Sequence, residues 1–102
     1  MAWVPQPDGG PTHLPAEVGE VLEQLAETVH DTWARLRLED DWSYGPKRDD
    51  DRKTNPTLVP YAELPESEKR CDREVVVAIL RSVIRLGFEL IPPEPPGIRH
   101  AD

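Results

Sequence analysis

Residues 15–40 read PAEVGEVLEQLAETVHDTWARLRLED, and this stretch decides the fold. Within it Val18, Val21, Leu22, Leu25, Val29, Trp33 and Leu36 recur at intervals of mostly three or four. One face of an α-helix returns every 3.6 residues, so the spacing predicts an amphipathic helix over about 15–40. Pro15 suits its first turn, where a missing N–H leaves nothing unpaired. Glu17, Glu20 and Glu23 sit near the positive end of the helix dipole, and Arg35 and Arg37 lie nearer the negative end.

A second 3–4 pattern runs through Val76, Ile79, Leu80, Val83 and Ile84. It predicts a second main helix, with Asp72 as its N-cap and a separate short helical turn over 64–69. Val75, Val76 and Val77 are β-branched and individually disfavour helix, which keeps a strand here as the minor alternative. Gly87 fits the left-handed position that ends a helix, and Phe88 follows where such an ending places an apolar contact. Leu90 and Ile91 are expected to run extended across the core, and Pro92–Pro96 to begin a stiff polyproline II tail.

Between the helices, residues 41–64 lose all period and contain Gly45, Pro46, Asn55, Pro56 and Pro60. Proline fixes φ and removes a donor, so neither a long helix nor a central strand fits. A loop of this length is usually functional or disordered. Trp42, Tyr44, Leu58, Val59 and Tyr61 supply anchors, which argues for order. The expected fold is mainly α: a compact single-domain helical fold with two main helices, short extra helical turns and a long ordered central loop. An arm over 1–14 precedes the domain at 15–93, and a Pro-rich tail occupies 94–102. Trp3 stands out in the arm, because an isolated Trp usually packs onto its own domain or a partner.

The 102 residues carry a formal net charge of -8. That sign opposes general attraction to nucleic acid or to an anionic membrane surface. Cys71 is the only cysteine, which excludes an internal disulfide and any zinc cluster built on cysteine. No apolar run approaches a membrane span, and residues 1–14 lack the features of a signal peptide. A cytoplasmic location is the expectation. No clustered His/Cys spacing, calcium-loop pattern, phosphate-cradling glycine loop or nucleophile elbow occurs, and Asp49–Asp51 reads as a solvated loop tip. Enzymatic activity, a cofactor and a bound metal are therefore not expected.

Several short runs stand in one order: His30-Asp31-Thr32-Trp33-Ala34, Trp42-Ser43-Tyr44-Gly45-Pro46, Arg48-Asp49-Asp50, Arg52-Lys53, Asn55-Pro56 and Leu58-Val59-Pro60-Tyr61. Leu64-Pro65-Glu66, Asp72-Arg73-Glu74, Leu86-Gly87-Phe88 and Ile91-Pro92-Pro93 continue them. Together they resemble the ryanodine receptor repeat, or RyR domain, in its single-repeat prokaryotic or viral type. The resemblance covers roughly 16–93. It implies a compact helical fold and a ligand-binding or interaction unit, with adenine-nucleotide-type ligands at the interface of paired repeats. With one repeat, a paired site would need a homodimer.

Nucleotide recognition requires a flat apolar face for the base and cations or N–H donors for phosphate. Trp33, Trp42 and Tyr44 offer the first; Arg48, Arg52 and Lys53 offer the second; Asn55 and Asp72 suit base edges or ribose hydroxyls. The resemblance carries Trp33 over as base-stacking and Arg48 as phosphate-binding. Arg37 and Tyr61 complete the candidate ligand-binding set. Each residue has a plainer reading. Trp33 belongs to the apolar stripe of helix 1, Trp42 and Tyr44 suit packing of the loop, and the basic residues lie beside acids that screen them. His30 reads as a lone structural histidine. The expected ligand is an adenine nucleotide or a cyclic, nucleotide-derived messenger, with a protein-interaction module as the alternative.

Overall fold

A computed structural model describes residues 2–5 and 12–94. Two helices dominate it: α1, Val18–Glu39, and α2, Glu66–Arg85. They pack on one another and run in opposite directions. Leu25 and Val29 of α1 meet Leu80 and Val76 of α2 across one groove, and Leu22 lies by Val77 and Arg81 across another. The mainly helical fold read from the 3–4 spacing is the fold observed. Among the described residues no helix is long and apolar enough to cross a membrane.

α2 begins six residues before the expected cap. Pro65 takes the N-cap position in an extended conformation (φ -58°, ψ 151°), and Glu66 and Glu68 fill the first turn beside the positive dipole end. The short turn over 64–69 and the second helix are therefore one continuous helix. Asp72 lies inside it and caps nothing.

Both helices end through the same device. At α2, Gly87 takes φ 102°, its N–H donates to Ile84 O, and the Phe88 N–H donates to Val83 O. At α1, Asp41 takes φ 66°, its N–H donates to Leu38 O, and the Trp42 N–H donates to Arg37 O. These paired bonds satisfy carbonyls that a helix end leaves open. The second ending was missed because aspartate, not glycine, holds the left-handed position.

The central segment is ordered but not strandless. Ser43–Tyr44 (β1) pairs in parallel with Thr54–Asn55 (β2), and Asp49 bridges to Thr54. Between them the Asp49 carboxylate accepts from the backbone N–H groups of Asp51 and Arg52, closing the turn. Lys53 is left-handed at φ 55° and ties the loop to the end of α1 by donating to Asp40 O at 3.0 Å. Gly45 is required by space, since a Cβ there would lie 2.6 Å from Thr54 Cβ.

A short 3-10 turn, Tyr61–Glu63, then lays Tyr61 and Leu64 against Ala26 of α1. Ala26 is fully covered, and its small side chain allows this approach. Val59 packs against the same cluster. Arg73 of α2 clamps the assembly: its guanidinium pairs with Glu23 at 2.6 Å and with Glu66, while Tyr61 donates its hydroxyl proton to Glu23 at 2.8 Å. Of the two residues expected to cross the core, Leu90 is half-buried beside Leu25 and Leu80, but Ile91 is not buried. Ile91 is 80% exposed, at the rim of a groove shared with Val18, Leu25 and Leu80. Trp3 is 83% exposed and packs on nothing extensive. The rest of the tail, residues 95–102, lies outside the described residues.

Candidate functional site

A polar cavity lies where α1 and α2 meet the end of the central loop. It measures about 410 Å³ and is lined by His30, Trp33, Arg48, Asn55, Pro56, Thr57, Leu64, Glu68 and Asp72. That volume falls within the range of small-molecule sites.

Each wall has its own origin. His30 and Trp33 stand one turn apart on α1, with ring centroids 5.7 Å apart. The buried His30 donates from Nε2 to Val59 O at 2.6 Å, which holds the loop onto α1. Its structural reading fits this bond. Trp33 is half-buried, so its ring both packs and faces the cavity.

Arg48 sits exposed on the opposite rim. Its Nε donates to Asp50 at 2.9 Å, and its guanidinium lies 5.9 Å from the Trp42 ring centre. Arg37 lies between the two tryptophans, 6.0 Å from Trp33 and 5.3 Å from Trp42. Trp33, Arg37, Trp42 and Arg48 thus alternate ring and cation, an arrangement favoured by the negative ring faces. Trp42 is buried beneath it, as its packing reading expected.

Asn55 uses its side-chain oxygen locally, accepting from the Thr57 N–H at 2.8 Å and the Thr57 hydroxyl at 2.6 Å. Its amide NH₂ remains the group it can offer to the cavity. Glu68 and Asp72 stand four apart on α2 and form an acidic wall. Burial raises the Asp72 carboxyl above its ordinary pKa; His30 opposes the shift and Glu68 adds to it. A carboxylate held in this way gains from any ligand group that donates a proton to it.

Trp33, Arg48, Asn55 and Asp72 of the candidate set therefore converge on one cavity, with Arg37 and Trp42 behind its wall. Tyr44 is 59% exposed elsewhere on the loop. Lys53 is engaged at the end of α1, and Arg52 lies beside Asp49. Tyr61 is buried with its hydroxyl on Glu23, away from the cavity lining. Glu68, Pro56, Thr57 and Leu64 were not singled out by sequence. Glu68 was legible in principle, because it precedes Asp72 by four residues on one helical face. Placing the helix start at Asp72 concealed that relation. Among the described residues no group of three or more His, Cys, Asp or Glu could hold a metal ion.

The geometry joins an aromatic wall, one cation and one acidic wall around a single space. Compared with protein families, residues 3–92 match the model described as RyR domain.

Proposed function

The chain belongs to the RyR domain family, and from that premise we propose that it is a non-enzymatic ligand-binding module of the cytoplasm, acting as a sensor or sponge for an adenine nucleotide or nucleotide-derived messenger. The observation that carries the reading is the cavity with Trp33 on one wall, Arg48 at its rim and Asp72 on α2. A base suits the ring, a phosphate suits the guanidinium, and ribose hydroxyls or an exocyclic amine suit the carboxylate. The cavity is built within one chain, so this reading does not require a homodimer.

Calorimetry of the full chain against adenine mono-, di- and triphosphates and cyclic nucleotides tests it. Binding is expected with at least one member, weakened roughly tenfold to a hundredfold by Arg48→Ala, the scale of a lost hydrogen bond to a charged group. No heat from any member at high protein concentration overturns the reading. The alternative, a protein-interaction module without a small ligand, draws on the exposed apolar residues Trp3 and Val4 of the arm. Deleting the arm and measuring partner capture separates the two.

A further inference from the structure

The cavity between α1, α2 and the central loop is unevenly supplied with charge. Among the described residues that line it, Arg48 alone carries a fixed positive charge. Its Nε already donates to Asp50 at 2.9 Å, which leaves the Nη groups to a ligand. The facing wall is α2, where Glu68 and Asp72 stand four residues apart on one side of the helix. With Arg37 behind the ring wall and Asp50 beside Arg48 included, Arg37 and Arg48 stand against Asp50, Glu68 and Asp72. The balance of the site is negative.

Neutral donors do not make up the difference. Thr57 gives both its N–H and its hydroxyl to the Asn55 side-chain oxygen, at 2.8 and 2.6 Å, so the Asn55 NH₂ is the open side-chain donor of that stretch. His30 commits its Nε2 proton to Val59 O at 2.6 Å. The positive end of α2 lies close by, but Glu66 and Glu68 occupy its first turn and offset it. A phosphate chain needs several cations or free N–H groups along its length. This cavity supplies one guanidinium and one amide, a set suited to a single phosphate group.

Resting on the nucleotide reading above, we propose that the site selects ligands with one phosphate, and that Glu68 and Asp72 set this limit by repelling any further one. The occupant is a nucleoside monophosphate or a cyclic mononucleotide. Its phosphate meets Arg48, its base lies on Trp33, and a hydroxyl or exocyclic amine donates to the carboxylates of α2. Di- and triphosphates bring extra negative charge into a space that already holds an excess of it, on a chain of net charge -8. Burial already holds the Asp72 carboxyl above its ordinary pKa, and another anion beside it works against its charge again. The expected order of affinity is the reverse of that at a site built from several cations.

Calorimetry of the full chain with cyclic AMP, AMP, ADP and ATP, in buffer free of divalent cations, tests this. The dissociation constant should rise roughly threefold to tenfold with each phosphate added to AMP, the scale of one partly screened charge repulsion. Added salt should narrow that spread, because it screens the repulsion. Glu68→Gln should narrow it too, by strengthening ATP binding more than AMP binding. Glu20→Gln removes the same charge from the first turn of α1, ten residues before His30, and should leave the spread as it is. A general loss of fold would weaken all four ligands together and does not mimic this pattern. The series on the unmodified chain stays decisive should Glu68→Gln fail to fold. ADP or ATP binding as tightly as AMP overturns the proposal and leaves the nucleotide reading standing. So does a spread that salt widens, or one that Glu68→Gln leaves as wide as Glu20→Gln does. Silence from all four ligands overturns both.

Discussion

Asp72 shows how one side chain can serve binding at the expense of the fold. Burial raises its pKa, so the folded state disfavours the charge it carries near neutrality. The sign follows: a raised carboxyl contributes stability only at low pH and loses it as pH climbs through its folded pKa. Asp72→Asn should therefore raise the melting temperature at pH 7 and, on the proposed reading, weaken nucleotide binding. A thermal melt beside a titration checks both. An unchanged or lower melting temperature would contradict the desolvation argument. The sequence marked Asp72 as a candidate, but as a helix cap. Its true position depends on Pro65 starting α2, which local cap preferences at Asp72 outweighed in the reading. Trp33 and Arg48 were legible through the family resemblance, which carries them over as base-stacking and phosphate-binding positions. Tyr61 and Lys53 were equally conspicuous and turned out to hold the loop, since residue type alone does not say which way a side chain faces.

At the scale of elements, the two helices were readable because a 3–4 period over twenty residues has few competing explanations. The β1–β2 pairing was not readable. Two residues per strand give no alternation to detect, and the pairing depends on a turn closed by Asp49 and on the absence of a side chain at Gly45. Gly45→Ala places a Cβ 2.6 Å from Thr54 Cβ, so strand or side chain must move. Overpacking of this kind costs about 1–3 kcal/mol. The denaturation midpoint should fall accordingly, and because Arg48 hangs from the same loop, ligand affinity should fall with it. A variant with unchanged stability would show that the loop yields without strain.

For the whole molecule, the Glu23–Arg73–Tyr61 cluster sets the pH limits. The Arg73 guanidinium, then the Tyr61 hydroxyl, hold the Glu23 carboxyl below its ordinary pKa of 4.5. A lowered carboxyl contributes stability above its unfolded value and loses it as pH falls through the folded one. Burial, and then the bond to Glu23, push the Tyr61 phenol up from 10 to about 12. That contribution is complete below pH 10 and is lost as pH rises towards 12. Urea midpoints should thus decline below about pH 4.5 and again above pH 10. Glu23→Gln should lower the neutral plateau and flatten the acid limb. An acid limb of unchanged steepness in that variant would assign the acid sensitivity to other carboxylates.

The same cluster has a consequence for how the chain reaches its fold. Glu23 is bonded to partners 38 and 50 positions away. Each helix can form within its own sequence neighbourhood, but these bonds wait until long loops have closed, and closure costs entropy before any contact repays it. They are expected to form on the native side of the rate-limiting barrier. Glu23→Gln should therefore accelerate unfolding far more than it slows folding, giving a chevron whose unfolding arm rises while its folding arm scarcely moves. Glu23 then governs the lifetime of the folded chain more than the speed of its formation.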